Sequence, residues 1–285
     1  YRSYYGMIHT NLVNSKGFAT GATFAFLNSI ISLLVKFPST HVVCAFDSRG
    51  ATIRHKLYPD YKANRKAKDK PQELFESLTQ MAEAVDQFWI PSVAVDTFEG
   101  DDIIATVATK AVEDGFSKVL IVGADKDFAQ LVNEHVFLYR FNTKSDAWEI
   151  NGNKDIKSRF GVFPDQMKSY QAIVGDSSDN IPGIKGLGKK AAATLLHQFG
   201  SLQGIYKNLD KISGAAHGKL VAEKENAKLW YQLVSLHTKV PIEWDWEDLE
   251  IVIPRGVVFM EYLEEMSFDS LADKVTHLHQ KYGTS

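Results

Sequence analysis

The sequence predicts an α/β fold, with a mostly parallel central sheet flanked by helices and then a helical C-terminal part. Three observations predict it. Apolar strand candidates alternate with helical periodicity through about residue 122, the pattern of a parallel sheet covered on both faces. Three of those candidates end at acidic residues, Phe46/Asp47, Val95/Asp96 and Val122/Asp125. Beyond about residue 150 the strand signals fade and helices dominate, with Gly-rich turns at 183–188 and 213–218. The expected division is therefore 1–160 and 161–285, with no fixed-period repeat in either part.

Each element has its own signal. Leu27, Ile30, Ile31 and Leu34 share one helical face, so residues 20–36 read as an amphipathic helix. His41–Phe46 is a short apolar run ending at Asp47 and reads as a buried strand. Tyr58–Lys70 has little apolar content and reads as an exposed loop or arch. Pro71 opens a helix to about Phe88, because its fixed φ suits a first helical turn. Ser92–Val95 is the second strand. After Gly100, the spacing of Ile104, Val107, Ala108 and Ala111 marks a helix ending near Gly115. Lys118–Val122 is the clearest strand, followed at once by Asp125 and Asp127.

Composition narrows the class. A chain of 285 residues, 45% hydrophobic and 24% charged, buries a full core without a biased tract. Its longest apolar stretch, Phe24–Leu34, is broken by Asn28, Ser29 and Ser32 and is too short and too polar for a membrane span. The single Cys44 excludes an internal disulfide and fits a reducing compartment. No signal or transit segment is found. The net charge of −3 argues against a uniformly basic binder of polyanions. Locally, Arg49, Arg54, Lys56, Lys62, Arg65, Lys66, Lys68 and Lys70 meet only Asp60 and Asp69, while acids gather at Glu99–Asp102, Asp125–Asp127 and Asp176–Asp179. A basic strip beside carboxylate clusters suits an enzyme that holds a polyanion and uses metal ions on it.

One Asp at a strand end is usually a turn or a helix cap, and repetition weakens that reading. Glu99, Asp101 and Asp102 crowd a helix N-terminus, where the dipole tolerates negative charge. Asp125 and Asp127 are two apart after a buried strand, and Asp176 and Asp179 three apart in Gly-Asp-Ser-Ser-Asp-Asn. Like charges this close need compensation, which hard, oxygen-liking Mg²⁺ or Mn²⁺ supplies. Two such ions about 4 Å apart activate water and stabilise the leaving oxygen of a phosphodiester. Ligands in open α/β sheets bind outside the carboxyl ends of the strands, where these acids lie. Zinc-ligand spacing is absent, and the nine histidines are scattered.

Gly183-Ile-Lys-Gly-Leu-Gly-Lys-Lys190 imitates a P-loop. Lys190 replaces the required hydroxyl, however, and Asn180-Ile-Pro182 precedes the motif in place of a strand. The better reading is a turn between helices whose glycines and following amides approach a phosphate, with Lys185, Lys189 and Lys190 adding charge; a purely structural turn is the alternative. In the basic strip, Tyr58 and Tyr61 suggest stacking on unpaired bases, against a solvated charged face. Arg54 and Lys66 fit surface solvation equally well. Trp230, Trp244 and Trp246 are expected in packing, and Phe24, Phe26 and Phe37 in the core.

AFDSRG at 45–50, YKANR at 61–65, EGDD at 99–102, GADKDFAQLV at 123–132 and GDSSDNIPGIKGLGKKAA at 175–192 occur in this order. Together they resemble the 5′–3′ exonuclease domain of bacterial DNA polymerase I and its flap endonuclease relatives, over most of residues 1–210. The resemblance implies a PIN-like nuclease core with a basic arch at about 49–70, then a helical DNA-binding part with a helix–two-turn–helix at about 175–200. It makes Asp47, Glu99 and Asp101 ligands of one metal. Asp101 bridges to a second metal held by Asp125, Asp127 and Asp176, with Asp102 and Asp179 as further acidic positions acting directly or through waters. Lys62 and Arg65 become phosphate-facing catalytic residues beside Asp101, Tyr61 the stacking aromatic, and Arg2 another phosphate contact. Gly183, Lys185, Gly186, Gly188, Lys189 and Lys190 grip duplex DNA by its backbone.

The implied cofactors are two Mg²⁺ (or Mn²⁺), with K⁺ at the helix–two-turn–helix. The implied partners are DNA with a 5′ flap, nick or single-stranded 5′ end, and a DNA polymerase in the same or a separate chain. The chain is expected to be monomeric, away from membranes, and intracellular, in bacterial cytoplasm or a DNA-containing organelle. The implied activity is structure-specific 5′ cleavage of DNA by two metals in replication and repair. The family's first metal-site Asp lies in an apolar strand just ahead of a Tyr-Arg pair, and this chain opens on Tyr1-Arg2. That Asp is therefore expected to be absent, which leaves a non-cleaving branched-DNA-binding module as the alternative. A metal-dependent phosphatase using Asp125 and Asp127 is a third reading, one that needs neither the basic arch nor the glycine hairpin.

Overall fold

Apolar helical faces and short strand runs assemble here into two compact units interleaved along the sequence: Tyr1–Phe46, Lys66–Val93 and Ile242–Ser285 form one, Asp47–Arg65 and Ala94–Pro241 the other. The structure is a computed structural model that describes all residues except 1, 8, 9, 11, 49, 66–70, 143, 144, 146, 253–256 and 283–285, and of residues 2, 3 and 257–259 the backbone alone. The expectations for the Arg2 side chain and for Arg49, Lys66, Lys68 and Lys70 lie outside the described residues.

In the first unit the helix Gly21–Lys36 buries Leu27, Ile31 and Leu34 against the helices Gln72–Gln87 and Asp269–Tyr282. Val85, Phe88, Phe268 and Leu271 complete that core, with Phe24 and Phe26 packed on it. Each fully buried aliphatic or aromatic side chain there contributes roughly 1.5–3 kcal/mol. Pro71 caps Gln72–Gln87, as its position in the sequence predicts. The strands β1 (Cys44–Ala45) and β2 (Ser92–Val93) pair in parallel, Cys44 opposite Ser92 and Ala45 opposite Val93. The apolar runs 41–46 and 92–95 are longer than the pairing, since His41 instead bridges antiparallel to Glu250.

The second unit is built on β3 (Val119–Val122), β4 (Val136–Asn142) and β5 (Ala147–Asn151), a sheet of order β3-β4-β5. β3 and β4 are parallel, β4 and β5 antiparallel. The β4–β5 hairpin adds two strands to those expected; Tyr139 and Trp148 stack across it, ring centroids 5.0 Å apart. The helix Gly100–Glu113 is rotated from its apolar spacing, burying Ile103 and Thr106 and leaving Ile104 and Val107 half-buried. The cause is hydrogen bonding, because Thr106 Oγ1 donates to the Asp102 carbonyl (2.8 Å) and accepts from the Val240 amide (3.1 Å). A satisfied hydroxyl is cheap to bury. From Met167 onward the helices Met167–Val174, Lys189–Phe199 and Lys224–Val234 dominate, bringing Ile173, Leu196 and Trp230 onto one core with Ile121 and Phe128. The class is α/β with a helical C-terminal part. No helix among the described residues is long and apolar enough to cross a membrane.

Candidate functional site

Three local devices in the second unit present carboxylates. Behind β3, Asp125 Oδ1 accepts the Asp127 amide (2.9 Å), turning the chain into the short 3₁₀ helix Asp127–Leu131. At the start of Gly100–Glu113, the Gly100 amide donates to Asp47 Oδ1 (2.7 Å), an anion on a helix N-terminus. Behind Met167–Val174, Gly175 at φ +81° redirects the backbone. Asp176 then caps the next turn, its Oδ1 accepting from the Ser178 amide (3.0 Å) and hydroxyl (2.6 Å).

These carboxylates repel one another. Burial pushes the Asp101 carboxyl up to about 8, and the charges of Asp125, Asp47, Asp127 and Glu99 add to the rise. Burial likewise lifts Asp127 to about 7, reinforced by Asp125, Asp176 and Asp179 and partly offset by a hydrogen bond from Gln171 Nε2. Asp176 goes the other way. Burial opposes its charge, but Lys126 (2.7 Å) and Ser178 outweigh that and hold it below the usual range. Ligand oxygens of Asp127, Asp176 and Asp179 lie within 4.8 Å of one another. Asp96, expected at the same strand ends, is exposed and is not among the groups acting on Asp101 or Asp127.

Three residues of this region have surroundings other than those expected. Asp102 is fully enclosed. Its Oδ1 accepts from Arg54 Nη2 (2.7 Å) and the His237 amide (2.9 Å), and its Oδ2 from Arg54 Nη1 (2.7 Å) and the Glu99 amide (3.3 Å). With both oxygens taken it stands as the counter-ion of Arg54, where a further acidic position of the metal site was expected. Arg54 itself, expected at the surface, is 2% exposed and donates onward to the Leu233 and Ser235 carbonyls (2.9 Å each) and to Glu99 (3.2 Å), which occupies all five guanidinium donors. Tyr61 is 3% exposed, and its hydroxyl donates to Glu99 (3.0 Å) and Asp179 (2.9 Å). A ring so enclosed offers no face to a base.

The residues around Tyr61, expected as an exposed loop or arch, are turns tied to residues 177–180. The Lys62 amide donates to the Asp179 carbonyl (3.0 Å), Asn64 Nδ2 to Ser177 (2.7 Å), Arg65 Nε to Ser178 (3.1 Å), and Asn180 Nδ2 to the Asp60 carbonyl (2.7 Å). Lys62 Nζ lies 2.6 Å from Glu99, and Arg65 Nη2 2.5 Å from Asp179. Both cations thus sit among the acids, each on a carboxylate.

In the hairpin at 183–190, Ile184 and Leu187 are buried while Lys185, Gly186, Gly188, Lys189 and Lys190 are exposed. The amides of Lys189 and Lys190 open the helix Lys189–Phe199, a ready anion site. Gly183, at φ +71°, packs backbone on backbone, since a Cβ there would run into the Gly175 amide nitrogen and lie 2.6 Å from the Ile173 oxygen. Gly188 has open space around its Cβ position. Gly183→Ala is expected to cost at least about 2 kcal/mol by combined clash and strain, and Gly188→Ala within about 1 kcal/mol. Urea unfolding of the two variants checks this; equal costs would mean that the close approach is not what fixes the hairpin.

Sequence reasoning missed Lys126, Gln171 and Lys219. Lys219 Nζ donates to the Gly186 carbonyl (2.8 Å), bringing another charge to the hairpin. Lys126 was legible as the lone cation between Asp125 and Asp127, and Gln171 as a polar residue on an apolar helix face. The donor set fits divalent cations. Asp47, Glu99, Asp101, Asp125, Asp127, Asp176 and Asp179 are matched among the described residues by Lys62, Arg65 and Lys126 alone, because Arg54 balances Asp102. With every acid ionised four formal negative charges are left over, all on oxygen, the ligand type of hard cations, and the raised pKa values of Asp101 and Asp127 are the response to that excess.

Residues 1–161 match the family model for the 5′–3′ exonuclease N-terminal resolvase-like domain, and residues 162–255 that for the 5′–3′ exonuclease C-terminal SAM fold. The chain is 35% identical over 281 residues to a 5′–3′ exonuclease of Aquifex aeolicus, covering 99% of this chain and 93% of that one. It is 33% identical over 277 residues to DNA polymerase I of Caldicellulosiruptor bescii, covering 96% of this chain but only 32% of the polymerase. In fold it is similar to the bacteriophage T5 flap endonuclease solved in complex with DNA and metal ions, with a TM-score of 0.65 at 21% identity over 90% of both chains.

Proposed function

The chain belongs to the 5′–3′ exonuclease family, and from that membership we propose that it is a structure-specific 5′ nuclease. In this reading it hydrolyses phosphodiester bonds of DNA at 5′ flaps, nicks and single-stranded 5′ ends during replication and repair, inside the cell and beside a DNA polymerase in the same or a separate chain. The observation that carries it is the surplus of formal negative charge clustered around the half-buried Asp101 and Asp127, which the protein's own cations leave unmatched.

Two Mg²⁺ (or Mn²⁺) ions fit that surplus. Asp47, Glu99 and Asp101 would hold one, and Asp101, Asp125, Asp127 and Asp176 the other, with Asp179 close enough to Asp127 and Asp176 to join it. When bound, the ions neutralise charge developing on the attacking and leaving oxygens. The chain's residues do the rest. Lys62 and Arg65, now on Glu99 and Asp179, are the cations best placed to turn to the scissile phosphate. Tyr61 and Arg54 hold the acids in position from behind. Gly183, Lys185, Gly186, Gly188, Lys189 and Lys190 take the duplex backbone, with K⁺ as the further ion at that turn. The division of labour falls near residue 160, with catalysis on 1–160 and duplex grip on 161–285. No feature of the described residues favours the non-cleaving alternative, and the exposed lysines of the hairpin are superfluous to a phosphatase.

Cleavage of a 5′-labelled flap duplex by this chain tests the reading. We expect a short labelled product with Mg²⁺, none with EDTA, and none from Asp127→Ala. Product of equal yield in EDTA would sink it, as would an Asp127→Ala chain as active as the unaltered one.

A further inference from the structure

We infer that Lys126 is a displaceable counter-ion of the carboxylate site: it occupies Asp176 while no divalent cation is bound, yields the carboxylate when one binds, and so lowers the site's cation affinity. The inference rests on the metal reading above and adds a residue to which that reading gives no task.

Lys126 Nζ lies 2.7 Å from Asp176 Oδ1. That oxygen already accepts from the Ser178 amide (3.0 Å) and the Ser178 hydroxyl (2.6 Å). Asp176 is therefore oriented by its own turn, with or without the lysine. Among the described residues no hydrogen bond or ion pair falls on Oδ2, which leaves it open to a cation. Asp176 is 4% exposed, whereas the Lys126 side chain is 35% exposed. The acid is fixed and the base is free to swing. Lys126 also stands between Asp125 and Asp127 in sequence, so its charge enters the same group of carboxylates that a cation would share. A divalent ion arriving there meets a like charge, and a flexible ammonium on a four-carbon stem is the group that gives way.

Removing the lysine therefore should not loosen Asp176, and it removes a competitor. The test is calorimetric titration of Mn²⁺ into the DNA-free chain at fixed pH and ionic strength, for the unaltered protein, Lys126→Met and Lys126→Arg. Lys126→Met should bind Mn²⁺ roughly tenfold more tightly, the scale of a unit charge about 6 Å from a divalent ion under near-water screening, as suits a side chain 35% exposed. Lys126→Arg should stay close to the unaltered protein. A purely structural lysine would instead give Lys126→Met weaker or unchanged Mn²⁺ binding, and that result overturns the inference while leaving the metal site standing. If none of the three chains binds Mn²⁺, both readings fall together. Thermal unfolding of the same samples adds a second readout: Mn²⁺ should raise the Tm of Lys126→Met by more than that of the unaltered chain.

Discussion

Asp101→Asn is expected to lower flap cleavage by about three orders of magnitude, because the electrostatic stabilisation a metal site supplies is several kcal/mol and each 1.36 kcal/mol is a factor of ten. The same change should stabilise the metal-free chain. Burial and the neighbouring Asp125, Asp47, Asp127 and Glu99 raise the Asp101 carboxyl to about 8, so the folded state holds a proton that the unfolded state has released. A group of this kind makes stability fall as pH rises, here between about 4 and 8. In EDTA the unaltered protein should accordingly lose Tm across that window, and Asp101→Asn should lose less. At pH 8 the variant should melt several degrees higher, at roughly 2–4 °C per kcal/mol for a domain of this size. Higher stability with lost cleavage is the signature of a charge kept for function. A variant that cleaves normally, or that melts lower than the unaltered chain at pH 8 in EDTA, would remove Asp101 from the centre of the site.

The second large effect is on folding. Arg54→Met strands the Asp102 carboxylate, which is fully enclosed and would keep only the His237 and Glu99 amides as donors. Breaking one partner out of a buried pair costs about 3–5 kcal/mol, a large part of the stability of any domain. The pH dependence gives a sign to check. Burial opposes the Asp102 charge, but Arg54 and the two amides overcome it and depress its pKa, so this contribution is present above the unfolded value and lost as pH falls through the folded one. In Arg54→Met the carboxyl instead favours its neutral form, and the deficit relative to the unaltered chain should shrink on acidification. Replacing both partners, Arg54→Met with Asp102→Leu, should recover much of the loss. Urea unfolding at pH 5 and pH 8 measures all of this, and a pH-independent deficit would mean that lost packing dominates.

These predictions separate two kinds of acid that look alike as letters. In Glu99-Gly-Asp-Asp102, neighbouring aspartates have opposite fates. Asp101 faces four other carboxylates, while Asp102, one helical step of about 100° away, faces Arg54. Sequence spacing marked the cluster and gave no means to divide it. The same holds for YKANR at 61–65. Its basic residues do stand among the acids, but its tyrosine is turned inward, because a phenol hydroxyl finds two carboxylates to donate to there.

Features that depend on local periodicity and on residues close along the chain are legible in the letters alone. The helices Gly21–Lys36, Gln72–Gln87 and Gly100–Glu113 were legible from the spacing of their apolar residues and from Pro71, and β3 from its unbroken apolar run. The order of five motifs identified the family, and the acids behind β3 and at the Gly100 helix start were legible as a cluster. Features that depend on partners far apart in the chain are legible only once it is folded. The bond between Thr106 and Val240, the Arg54–Asp102 pair 48 residues apart and the Lys126–Asp176 pair are all of this kind. The physical reason is that whether a buried charge is a ligand, a counter-ion or a structural partner is set by the groups folded against it, and one sequence read alone does not say which groups those are.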